Sequence, residues 1–270
     1  MSVTKKAMAG DRVSSAAAVA YAGGSYLVSL AVFLYAVFFM AGVLVPRTVD
    51  GGGPVSGTAA AVVVDVLLLA LFAVQHSVMA RPAVKLRLTK IVPKHVERST
   101  FVLATSGVLA LVFWQWRPIP TVVWRVDDTA AQTVLWALFA AGWASVIAMT
   151  FAIDHCDMFG LRQVARRIRG LGESAPGFHL PWPHRLVRHP MMLGFFLAFL
   201  AAPTMTARHL LFALLACGYI LVGVRFEERA LAEAHPEYAA YAAVTPRFVP
   251  RPTGLRPRSG PSPQGRAELT

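Results

Sequence analysis

Two short clusters hold the side chains best suited to chemistry. One is Arg188-His189-Pro190; the other is Glu227-Glu228, in the run RFEERALAEAHPEYAAY. Between them lies an apolar stretch, 190 to 224, broken by Pro203 and by Thr206-Ala207-Arg208-His209. That break predicts two short helices folded back as a hairpin. Antiparallel packing would bring the two charged clusters together at one membrane surface. Acid and base meeting there form either a charged ligand site or an ion-pair network that ties the hairpin ends. Pro190 suits the first turn of a helix, where its missing N–H costs nothing. Gly194, one turn on, permits close approach of a backbone or a ligand.

Further polar candidates stand inside apolar runs, where each is costly in lipid and faces a bundle interior. Asp65, Gln75 and His76 fall in one such run; Asp65 and His76 are close to three helical turns apart and share a face. Asp154, His155 and Asp157 close a later run in the same layer. His76 and His155 are candidates for proton transfer, and interhelical hydrogen bonding is the structural alternative. Neither group has the tight His/Asp spacing of a metal centre, so no metal is expected. Cys156 and Cys217 form no ligand or disulfide pattern and read as free thiols. Trp114, Trp116 and Trp124 read as an interfacial aromatic belt.

The elements that must position these residues follow from composition. The chain has 270 residues, of which 56% are hydrophobic and only 15% charged, a balance too apolar for a soluble domain of this length. Runs at about 25 to 46, 58 to 79, 99 to 116 and 130 to 153 are long enough to cross a bilayer. With the hairpin they make about six transmembrane helices, an all-α integral membrane protein. The net charge of +12 raises nucleic acid as a partner, but Lys and Arg fall between apolar runs rather than along one face. Instead they set topology. Loops 80 to 98 and 154 to 189 are strongly basic, whereas acidic residues offset the arginines of 47 to 57 and 117 to 129. The positive-inside rule then places both termini in the cytoplasm. Lys5, Lys6 and Arg12 precede a first run too long for a signal-peptide core, so it reads as a retained span. Residues 1 to 24 read as a cytoplasmic segment, 25 to 250 as the transmembrane domain, and 251 to 270, rich in Pro, Arg, Gly and Ser, as a disordered tail.

Arg188-His189-Pro190, Gly194, Glu227-Glu228-Arg229, Leu231, Tyr238, Tyr241 and Pro246-Arg247-Phe248-Val249-Pro250 together resemble the C-terminal half of the isoprenylcysteine carboxyl methyltransferase superfamily. The superfamily pattern usually has Tyr where this chain has Met192. The stretches LFAVQHSVMARP, VPKHVERSTFVL, FWQWRPIPTVVW, FGLRQV and APTMTARHLLFA resemble the methanethiol S-methyltransferases of its NnrU-type branch. The resemblance covers about 71 to 250. It implies S-adenosylmethionine (SAM) as methyl donor and a small thiol as acceptor, with dimethyl sulfide and S-adenosylhomocysteine as products.

It also implies that the cofactor is bound within about 154 to 250. Arg188 or His189 would meet its carboxylate, and Glu227 or Glu228, with Tyr238 or Tyr241, its amino and ribose groups. Pro190 and Gly194 belong to the same set. His76, His155 and Glu227 are the candidates to accept or position the thiol proton. Membrane lipids are the expected surroundings, the bacterial cytoplasmic membrane the expected location, and no obligate protein partner is indicated. Two other readings stay open: a methyltransferase for a larger thiol, lipid or prenylated acceptor, and a non-enzymatic transporter or accessory protein. Against a transporter, the charged cluster sits at one surface rather than at the midplane.

Overall fold

A computed structural model describes residues 2–119, 121–171 and 181–250. The expected tail from 251 onward lies outside the described residues. Among the described residues ten α-helices follow one another: α1 (Ser2–Ala41), α2 (Thr58–Ala80), α3 (Pro82–Leu88), α4 (Lys94–Gln115), α5 (Thr129–Ile153), α6 (His155–Met158), α7 (Leu161–Ile168), α8 (Pro190–Leu200), α9 (Ala207–Ala234) and α10 (Tyr238–Val244). Five of them, with α1 counted from Ser15, are long and apolar enough to cross a membrane, and α8 is a shorter apolar helix of 11 residues. The chain is a multi-pass membrane protein.

The hairpin differs from the expectation of two short helices. α8 is short, but α9 runs for 28 residues, about 42 Å at 1.5 Å per residue. The break at Pro203 is a small antiparallel ladder: β2 (Thr204–Thr206) pairs with β1 (Val122–Arg125), Val122 opposite Thr206 and Arg125 opposite Thr204. Sequence reading gave no strand here, because three or four residues are too few to show a period of two. Thr206 then caps α9, its hydroxyl accepting from the His209 N–H at 3.1 Å, and Asp128 caps α5 in the same way through the Ala131 N–H.

α5 and α8 make the most extensive contact between helices. Gly142 and Gly194 face each other there: a Cβ on Gly194 would lie 2.8 Å from the Gly142 carbonyl oxygen, and one on Gly142 2.6 Å from that of Gly194. Small residues let the two backbones touch, the usual means of packing helices where lipid supplies no hydrophobic drive. α1 packs on α4, and α4 on α2. Phe39, Val112, Phe113, Trp116, Trp143, Phe199 and Phe212 form the buried centre. Trp116 is fully buried in that core and does not belong to an interfacial belt, whereas Trp114 is 58% exposed. Cys156 and Cys217 are free thiols.

Candidate active site

Glu228 is the centre of the charged cluster. α9 carries it past the middle of the bundle, and α8 begins beside it, with Pro190 in its first turn. Arg188 Nε donates to Glu228 Oε1 at 2.9 Å, and His189 Nε2 lies 3.1 Å from the same oxygen. Arg247 grips the carboxylate in a fork, Nε donating to Oε1 at 3.1 Å and Nη2 to Oε2. A bidentate guanidinium fixes orientation as well as charge. The expected meeting of RHP with the acidic pair therefore occurs, and it includes a third segment. Backbone bonds hold that segment in place: Arg188 N–H to the Pro246 carbonyl at 2.8 Å and His189 N–H to the Arg247 carbonyl at 3.1 Å.

The roles within the cluster differ. Arg188 also donates from Nη1 to the carbonyls of Ala242 (2.6 Å) and Thr245 (3.0 Å), which ties it to the end of α10. Glu228 is nearly buried and saturated. Glu227, by contrast, is 53% exposed and has His189 Nδ1 at 3.7 Å. It is the carboxylate of the pair that keeps room for another donor. Tyr241 donates to the His184 carbonyl at 2.7 Å; burial, then the neighbouring Tyr238, push its hydroxyl up to about 12, so it remains a donor at any physiological pH. Burial and the nearby Glu228 raise the Tyr238 hydroxyl too, and the hydrogen bonds to Glu228 raise Arg247. Beside the cluster a depression of about 320 Å³ opens between Arg225, Glu228, Arg229, Ala232 and Arg247.

The other expected site residues sit elsewhere. Gly194 packs against Gly142, which accounts for the glycine by helix contact. His155 has both ring nitrogens engaged, Nδ1 with the Thr150 hydroxyl (2.9 Å) and Nε2 with the Tyr26 hydroxyl (3.0 Å), and its ring stacks on Phe151. His76 lies among Phe72, Phe101 and Tyr219. Tyr219 precedes Glu228 on α9 by nine residues, about 13.5 Å of rise and two and a half turns, so the His76 group and the Glu228 cluster occupy opposite faces of that helix. In the sequence Arg247 stands out only within the Pro246-Arg247-Phe248-Val249-Pro250 motif; its place on Glu228 depends on the turn after α10, which has no local signal.

A second polar group closes the far end of α9. Asp50, from the segment between α1 and α2, accepts from the Thr206 hydroxyl at 2.5 Å and lies 3.3 Å from His209 Nδ1. His209 Nε2 lies 3.1 Å from the Phe199 carbonyl. The imidazole thus bridges the Asp50 carboxylate and the Phe199 carbonyl. Burial alone would raise the Asp50 carboxyl, but the bonds from His209 and Thr206 and the positive field of His209 and Arg208 outweigh it and hold it below the usual range. Arg208, fully buried, donates to the Trp116 carbonyl at 2.6 Å. Asp65, also fully buried, accepts from the next backbone N–H, that of Arg117, at 2.8 Å. Asp65 therefore belongs to this far group and has no part in the Glu228 cluster.

The sequence model of the NnrU protein family matches residues 65–255. Methanethiol S-methyltransferase of Mycobacterium tuberculosis is 49% identical over 237 residues, covering 87% of this chain and 96% of that protein. Methanethiol S-methyltransferase 1 of Bradyrhizobium diazoefficiens is 46% identical, covering 89% and 85%. Mouse nurim is 32% identical over 165 residues, 58% of this chain and 62% of its own length. No solved structure matches the chain. The family match takes in α8, α9, α10 and every side chain of the Glu228 cluster, and with such relatives along nearly its whole length the chain belongs to the NnrU family.

Proposed function

We propose that this protein is a SAM-dependent membrane methyltransferase that converts methanethiol to dimethyl sulfide, releasing S-adenosylhomocysteine. In this reading six crossings with both termini inside place the Glu228 cluster at the cytoplasmic face of a bacterial membrane. The transmembrane methyltransferase domain is 25 to 250, and the cofactor part is about 154 to 250. The observation that carries the reading is the half-exposed carboxylate of Glu227 beside a Glu228 already fixed by Arg188, His189 and Arg247, at the end of an apolar bundle whose relatives bear the methyltransferase name.

SAM, when bound, supplies a methyl group on a sulfonium. The donor set suits its zwitterionic end: Arg188 or His189 for a carboxylate and Glu227 for an ammonium, with Arg247 holding Glu228 in place. Arg188 has Nε and Nη1 committed to Glu228 and two carbonyls, so it chiefly holds the cluster in shape. Tyr241 and Tyr238 hold α10 against it, and Pro190 and Gly194 seat α8. Methyl transfer to a thiol is an in-line displacement, and the chain's task is to hold the partners in line and keep water away. The apolar bundle below the cluster does the second.

The thiolate is the reactive form. Of the three candidates to receive or orient its proton, Glu227 alone stands in the cluster. Glu227→Gln separates its two possible duties: a raised KM for SAM at unchanged kcat assigns it to the ammonium, and a lowered kcat with SAM affinity kept assigns it to the thiol proton. The reading as a whole is tested by headspace dimethyl sulfide from membranes supplied with SAM and methanethiol. Product from the wild type and none from Glu228→Ala supports it; no product and no SAM binding by the wild type overturns it.

A further inference from the structure

α9 carries a cationic feature that methyl transfer does not use. Arg225 and Arg229 stand one turn apart and, with Arg247, line the depression of about 320 Å³ beside Glu228 and Ala232. Three guanidinium groups face one carboxylate there, and that carboxylate already receives Arg188, His189 and Arg247. The wall is therefore positive and fits an anion. On the same face of the helix, at 100° per residue, Leu221 is 43% and Val222 49% exposed.

Depth identifies the anion's source. Counted from Ala207, a hydrocarbon layer of about 30 Å is used up near residue 227, so Arg225 and Arg229 straddle the boundary between acyl chains and headgroups. We propose that Arg225, Arg229 and Arg247 seat the phosphate of an anionic phospholipid whose acyl chain lies along Leu221 and Val222. A guanidinium fork matches phosphate oxygens in pairs. A basic membrane surface attracts anionic lipid in general. Convergence of three such groups on one depression, with apolar side chains directly beneath, makes a site rather than a field.

The test uses the full chain in vesicles of phosphatidylcholine with and without phosphatidylglycerol, with retained lipid measured by native mass spectrometry after extraction. Wild type should keep phosphatidylglycerol over phosphatidylcholine by about tenfold or more, a difference of one decade in affinity. Arg225→Gln with Arg229→Gln should remove that preference while SAM affinity stays as in the wild type. Arg81→Gln with Arg87→Gln, which removes two charges elsewhere, should leave it intact. Three results overturn the proposal. Equal loss in the Arg81/Arg87 variant would mean a general surface field. Displacement of phosphatidylglycerol by inorganic phosphate would mean a soluble anion. A parallel loss of SAM affinity in the Arg225/Arg229 variant would give the depression to the cofactor.

Discussion

The two ends of α9 carry polar networks of similar ingredients and opposite character. Around Thr206, the segment between α1 and α2 lies over Arg208, His209 and Asp65, all three buried, and each is bonded to a neighbouring backbone. Around Glu228 the network is also dense, but Glu227 is half exposed and a depression opens next to it. A charge that is buried and closed off from solvent, each group held by a backbone partner, holds the chain together. A charge fixed on one side and open on the other is equipped to receive something. The presence of Arg, His and Asp or Glu side chains does not separate the two; their access to solvent does.

The comparison can be broken by mutation. The largest effect is expected at the open end: Glu228→Ala should lower kcat/KM for methyl transfer by about 100-fold or more, about 2.7 kcal/mol of transition-state stabilisation, in protein that still inserts in the membrane. Activity within a few-fold of wild type would make the open network structural after all. At the sealed end Arg208→Ala should act on stability alone, costing about 3 kcal/mol as a buried charge partner is removed, seen as a lower unfolding midpoint in detergent. A loss of SAM affinity in the protein that remains folded would contradict the division.

Finer tests fall between the ends. Gly194→Ala forces a methyl group against the Gly142 carbonyl and should cost about 1–3 kcal/mol by overpacking, with KM for SAM unchanged in the folded fraction; a selective rise in that KM would return Gly194 to the ligand site. Tyr241→Phe removes one hydrogen bond to the His184 carbonyl, worth about 1 kcal/mol, and thermal unfolding would register it. The smallest effect is one of pH. The Asp50 carboxyl lies below its ordinary value of 3.8 in the folded protein, so on acidification the unfolded chain takes up that proton first. The stabilisation is complete above the ordinary value and is lost as pH falls through the lower, folded one. Unfolding midpoints from pH 5 downward should fall less steeply for Asp50→Asn than for the wild type, and equal slopes would remove Asp50 from the clamp.

Features that are local or one-dimensional could be read from the amino-acid sequence. Long apolar runs dictate membrane helices because a bilayer leaves the backbone no other partner, and Pro190 and the Thr206 break mark helix starts by their own chemistry. The meeting of Arg188-His189 with Glu228 was legible too, since a hairpin must return its ends to one surface. Tertiary structure alone decided the rest. It gave Gly194 to helix packing against Gly142, engaged both nitrogens of His155, and set His76 on another face of α9 from Glu228. It also buried Trp116 and drew Asp65 and Asp50 to the end opposite the cluster. The reason is physical: the depth of a residue along a membrane helix is fixed by its position in the chain, whereas the neighbour it faces depends on helix rotation and close contact, which are settled only when the whole bundle packs.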